Sequence, residues 1–142
     1  MRRFLYDTNV FVYALGREHP HRDACRRVVD LAAEGALRGE ASVELVQEFL
    51  HVRARSTGDR AEAVREAEAV ASLCALHEVT EADLHLALSL FARTERIEAR
   101  DALHAATALN RGIDAILSTD GAFDLVAGLE RVSPEVAEAA LL

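Results

Sequence analysis

Arg3-Phe4-Leu5-Tyr6-Asp7-Thr8-Asn9 stands near the start of the chain, and its reading decides the fold. A short apolar and aromatic run stops abruptly in polar residues, the pattern of a buried strand whose C-terminal end passes into a helix. The pattern returns late in the chain, where Ala115-Ile116-Leu117 closes in Ser118-Thr119-Asp120-Gly121. Between these stretches, strand-like and helix-like patterns alternate. Helices are expected over residues 21 to about 37, 43 to about 56 behind a Ser42 cap, 59 to about 76, 80 to about 93, and 99 to 110. Further short strands are expected at residues 40–43, 77–79 and 130–132. Such alternation predicts an α/β fold, a three-layer α/β/α sandwich whose short parallel sheet is covered by helices on both faces.

At 142 residues the chain has the size of one domain, so residues 1–142 are read as a single domain around one core. Its apolar half is mostly Ala, Leu and Val, with 5% aromatic residues, which suits closely packed helices against a sheet. No apolar run approaches the roughly 20 residues that a membrane-spanning helix needs. The first residues reach Asp7 too soon for a signal-peptide core, and a cytoplasmic protein is expected. Cys25 and Cys74 lie in helical patterns without zinc-site or disulfide spacing and are read as core residues. The net charge of −8 argues against a nucleic-acid binder, which needs a basic surface. That conflict softens if carboxylates converge on divalent cations, which reverse the local field.

Open parallel sheets bind ligands beyond the C-terminal ends of their strands, and Asp7 and Asp120 both fall at that edge. On the helix after Ser42, Leu45, Val46, Phe49, Leu50 and Val52 form one apolar arc. At about 100° per residue, Glu48 lies roughly 40° from Val52 and Glu44 about 80° from it. Glu48 is therefore the candidate for a partly buried ligand, and Glu44 belongs to a solvated face. Asp101 opens the helix Asp101-Ala102-Leu103-His104-Ala105-Ala106, where small side chains let the backbone approach the sheet. Each acid alone has an ordinary reading: turn chemistry, a solvated helix face, or a favourable charge at a helix start. Converging at one edge they would repel unless protonated or metal-bound, and hard oxygen donors point to Mg²⁺ or Mn²⁺.

These pieces resemble the PIN-domain nucleases, and more narrowly the toxins of VapBC-type toxin–antitoxin pairs. The matching stretches are Leu5-Tyr6-Asp7-Thr8-Asn9-Val10, Ser42 followed by Val46-Gln47-Glu48-Phe49, Arg100-Asp101-Ala102-Leu103-His104-Ala105-Ala106, and Leu117-Ser118-Thr119-Asp120-Gly121-Ala122-Phe123-Asp124. The resemblance implies a metal-dependent ribonuclease with Asp7, Glu48, Asp101 and Asp120 as the acidic cluster that binds Mg²⁺ or Mn²⁺. It further implies Asn9 and Ser118 as supporting polar residues and Asp124 as an accessory acid. The implied partners are an RNA substrate, a VapB-like antitoxin whose C-terminal segment covers the cleft, and a second copy in a homodimer.

Around this cluster, His104 and Arg100 are candidates for contact with substrate, and Arg53, Arg55 and Arg60 for guiding RNA. A phosphatase with a nucleophilic Asp after its first strand is a rival reading. Asp7-Thr8-Asn9 lacks the second Asp of that chemistry, and the chain contains no Lys. No glycine-rich phosphate loop follows the first strand. A PIN-like domain that binds RNA or a partner without cutting is the non-enzymatic alternative.

Overall fold

The computed structural model describes residues 1–142 as five strands and seven helices. In chain order these are β1 (Leu5–Tyr6), α1 (Thr8–Leu15), α2 (Arg22–Ala33), β2 (Glu40–Ser42), α3 (Val43–Thr57), α4 (Arg60–Ser72) and β3 (Ala75–His77). They continue as α5 (Glu81–Arg93), α6 (Ala99–Asn110), β4 (Ala115–Leu117), β5 (Glu130–Val132) and α7 (Ala137–Leu141), with 3₁₀ turns at Gly121–Leu125 and Pro134–Val136. All strand pairs are parallel, in the order β3-β2-β1-β4-β5. β1 is central: the chain lays β2 and β3 to one side of it and β4 and β5 to the other. The order thus reverses between β1 and β4, where an open α/β sheet leaves a crevice at its carboxyl edge.

Side chains of a strand alternate between faces, and that period of two builds the layers. Phe4 and Tyr6 join Phe11, Val28, Leu45, Phe49 and Val70 on one side of the sheet, whereas Leu5 joins Leu90, Ala105, Ile116 and Phe123 on the other. Ala115 and Leu117 of β4 repeat the first choice and Ile116 the second. Helices α1 to α4 and α7 therefore cover one face, and α5 and α6 the other. The three-layer α/β/α expectation holds. Close contact is enforced at Gly39, where an added Cβ would lie 2.0 Å from Cε2 of the buried Tyr6 ring.

Several helix ends follow from local hydrogen bonding. Ser42 Oγ accepts the Leu45 amide and starts α3, and Thr80 and Asp83 form a reciprocal capping box at α5. Three boundaries differ from the sequence pattern. Helix α2 ends at Ala33 because Gly35 takes φ +78° and the Ala36 amide reaches back to the Leu31 carbonyl, a Schellman closure that stops the periodic run early. Helix α4 ends at Ser72, and β3 lies at Ala75–His77, earlier than the residues 77–79 expected. The Ala75 amide pairs with the Gly39 carbonyl, so the register against β2 sets this edge strand. Cys74 accordingly falls between helix and strand, half-buried, while Cys25 is buried in α2.

Candidate active site

Asp7 is the first residue past β1 and the N-cap of α1, and it is 3% exposed. Its Oδ1 accepts the Thr8 amide at 2.8 Å, and its Oδ2 accepts the Ser118 hydroxyl at 2.7 Å. Ser118 follows β4 directly, and its Oγ also accepts the Asp120 amide at 3.0 Å. One hydroxyl thus ties the ends of the two central strands together. The half-buried Asp120 is held in turn by the Ala122 amide at 2.9 Å, as N-cap of the following 3₁₀ turn.

Asp101 reaches the same edge from the other helical layer. Ala102, Ala105, Ala106 and Ala108 are all buried, so α6 lies close on the sheet with Asp101 in its first turn. Burial, chiefly, together with the negative charges of Asp7, Asp120 and Glu98, pushes the Asp101 carboxyl up to about 7, against a lowering by His104. Burial likewise raises Asp7, with Glu48 adding to the rise and His104, Ser118 and Thr8 opposing it. Asp101 is thus half-buried and within the field of Asp7 and Asp120, where a solvated helix-start charge would stand clear of other acids.

Glu48 lies on α3 and faces inward, with its side chain 15% exposed. Its Oε2 accepts the Thr8 hydroxyl at 3.1 Å and stands 3.3 Å from His104 Nε2, and its Oε1 is 3.7 Å from Arg100 Nη1. Burial pushes this carboxyl up, but His104, Thr8 and Arg100 outweigh it and hold Glu48 below the ordinary glutamate value. For His104 burial is again the largest influence and lowers the pKa; Glu48, Asp7 and Asp101 together reverse it and carry the imidazole above its usual value. Glu44, one turn earlier, is half-buried and does not enter this network. Of the two, Glu48 is the one that reaches Thr8 and His104.

Of the remaining candidates, Asn9 is half-buried in the first turn of α1. Asp124 is exposed and ion-paired with Arg131 at 3.0 Å, and Arg131 also donates to the Ser118 carbonyl at 3.3 Å. Asp124 therefore bears on the site through Arg131. Arg53 is committed to Glu66 at 2.7 Å, whereas Arg55 and Arg60 are exposed. Arg100, exposed at the rim, lines an open cavity of about 490 Å³ with His51 and Arg55. His104 is wholly buried against Ser42, Thr8 and Glu48, which removes it as a substrate contact. Its part in the network was missed in the sequence, where the only signal was the Asp101-x-x-His104 spacing on a helix of small residues.

No three or more His, Cys, Asp or Glu side chains are spaced to hold a metal ion in the arrangement found. The chemistry of the set nevertheless fits a hard divalent cation. Asp7, Asp101 and Asp120 offer carboxylate oxygens at one edge, and burial, chiefly, raises Asp7 and Asp101 there despite the opposing His104.

The family described as PIN domain matches residues 4–129. The chain belongs to the PIN-domain family. This PIN chain is 38% identical over 133 residues to Ribonuclease VapC7 of Mycobacterium tuberculosis, covering 92% of the chain and 91% of that protein. It is 36% identical over 118 residues to Ribonuclease VapC23 of the same species, covering 80% of the chain and 90% of that protein. Among solved structures, the M. tuberculosis toxin VapC20, described as cleaving the sarcin-ricin loop, superposes with a TM-score of 0.67 at 21% identity, covering 83% of this chain and 90% of that one. VapBC2 of Rickettsia felis, solved on a DNA fragment from its promoter, gives 0.69 at 16% identity over 92% of this chain and 98% of that one. At such identities the structural likeness speaks for the PIN fold alone.

Proposed function

We propose that this PIN-domain protein is a divalent-metal-dependent endoribonuclease, the toxin of a toxin–antitoxin pair, with Asp7, Glu48, Asp101 and Asp120 as its acidic centre. The observation that carries the reading is the convergence of Asp7, Asp101 and Asp120 at the β1/β4 switch point, with Asp101 pushed up to about 7. The VapC ribonucleases among its relatives support RNA as the substrate.

Asp7, Glu48, Asp101 and Asp120 would hold the cation, and oxygen donors favour Mg²⁺ or Mn²⁺. When bound, such a cation supplies an activated water and neutralises charge on the phosphoryl oxygens. The protein's own contribution is placement. Ser118 and Thr8 fix Asp7, Ser118 also fixes the backbone at Asp120, and Asn9 stands beside them in α1. Arg100, at the rim beside Glu48, would meet a phosphate next to the acids, and the bound cations would offset the negative local field. The antitoxin reading adds a chain whose segment would cover this cleft, and VapBC assemblies are among the structures that share the fold.

No helix is long and apolar enough to cross a membrane, and a cytoplasmic location belongs to the same reading. So does a homodimer, for which Leu84, Leu88 and Phe91 offer an exposed apolar stripe on α5. Sedimentation of Phe91→Glu tests that pairing; a dimer as tight as wild type removes this surface from it.

The central test is cleavage of total cellular RNA by partner-free protein with Mn²⁺, beside chelator, Asp7→Asn and Asp101→Asn controls. New 5′ ends that vanish in all three controls are expected. Absence of cutting over a broad RNA panel sinks the nuclease reading, and undiminished cutting by the variants sinks the site.

A further inference from the structure

Glu48 differs from the other three acids in what surrounds it. Thr8 Oγ1 at 3.1 Å and His104 Nε2 at 3.3 Å both take the same oxygen, Oε2. Oε1 has only Arg100, at 3.7 Å and on the solvent side. His104 itself is 0% exposed, and its second ring nitrogen, Nδ1, lies 3.4 Å from Ser42 Oγ. Because Ser42 Oγ already accepts the Leu45 amide, its own hydrogen is free to point at Nδ1. A neutral ring so bonded carries its hydrogen on Nε2, aimed at Glu48, and a protonated ring carries one there as well. Both nitrogens are thereby committed within the protein, so the ring is offered neither to substrate nor to an ion.

We infer that His104 is a positioning residue which, braced by Ser42 and assisted by Thr8, grips Glu48 through Oε2 and leaves Oε1 alone to face the cation of the acidic centre. This rests on the metal-dependent reading above. An unbraced glutamate side chain samples several rotamers, and fixing it before an ion arrives removes that ordering cost from binding. The topology makes the grip possible. Asp101 and His104 lie three positions apart on one face of α6, so a single helix delivers one acid and the brace of another. Ser42 likewise starts the helix that carries Glu48.

The test compares His104→Leu, which keeps bulk but removes both nitrogens, with His104→Gln, which returns an N–H donor, and with the shape-conserving Thr8→Val. Mn²⁺ affinity is measured by calorimetry, kcat and KM for RNA cleavage separately, and folding by thermal melts in chelator. His104→Leu is expected to weaken Mn²⁺ binding or lower kcat by about 10–100-fold, as loss of a ligand-orienting partner does, with KM for RNA within about twofold. His104→Gln should recover most of the loss, and Thr8→Val should show a smaller loss of the same kind. A folded His104→Leu with wild-type Mn²⁺ affinity and kcat overturns the inference, as does a Gln variant no better than Leu. If His104→Leu does not fold, wild-type values for Thr8→Val overturn it. Wild-type protein that neither binds Mn²⁺ nor cuts RNA overturns instead the reading on which it rests.

Discussion

Replacing Asp101 by Asn should stabilise the metal-free protein while abolishing its activity. In the folded chain the Asp101 carboxyl is carried from its ordinary 3.8 to about 7, first by burial and then by Asp7, with Asp120 and Glu98 adding to it. At about 1.36 kcal/mol for each tenfold change, ionised Asp101 would cost at most about 4 kcal/mol. The residue is only half-buried, and solvent screening brings the cost to roughly 1–2 kcal/mol. Asn removes the repulsion but also forfeits a favourable helix-start charge of about 0.5 kcal/mol, leaving a net gain of about 1 kcal/mol. For a chain of this size that is a rise in Tm of roughly 2–4 °C. The sign with pH follows from a raised acid: the cost is absent below 3.8, grows towards 7 and is constant above it. The gain should therefore appear in chelator at pH 8 and vanish at pH 4. Adding Mn²⁺ at pH 8 should stabilise wild type and not the variant, because binding only to the folded state raises stability. A variant less stable than wild type in chelator at pH 8, or equally advantaged at pH 4, would refute the argument from burial and repulsion.

Other substitutions separate site from scaffold. Ser118→Ala removes the donor to Asp7 and the acceptor of the Asp120 amide, and should cost about 1–3 kcal/mol in denaturant melts and roughly 10–100-fold in RNA cleavage. Asp83→Ala breaks the α5 capping box and the 3.0 Å ion pair with Arg111, costing about 3 kcal/mol with Mn²⁺ affinity unchanged by calorimetry. Arg111, Asn110 and Thr80 overcome the effect of burial and hold Asp83 at about 2, so this contribution is complete above the ordinary 3.8 and fades as pH falls towards 2. Gly39→Ala drives a methyl into the buried Tyr6 ring and should destabilise by about 1–3 kcal/mol without a change in the pH dependence of cleavage.

Much of the fold is legible because its inner strands are buried on both faces and read as unbroken apolar runs. The expected bounds of β4, β5 and α6 are those found. Edge strand β3 was displaced in the sequence reading because the apolar run Leu73-Cys74-Ala75-Leu76 continues the helical pattern of α4, and only pairing with β2 sets the strand there. The site divides in the same way. Asp7 and Asp120 follow from strand ends and Glu48 from the helix wheel, whereas Asp101 needed the family resemblance to rise above a helix-start acid. Ser42 reads as a helix cap in the sequence; its second contact, with His104, joins residues 62 positions apart and leaves no local trace.

Residue order by itself determined the α/β alternation, the inward face of α3 and the acids at the sheet edge, because each depends on spacing along one element. Tertiary structure alone decided that Asp101 is raised by Asp7 and Asp120, that Arg53 is spent on Glu66, and that His104 serves Glu48. Those outcomes depend on which helix lies against which strand end, and on the burial that strengthens charge and hydrogen bonding there, and neither is a property of any single stretch of chain.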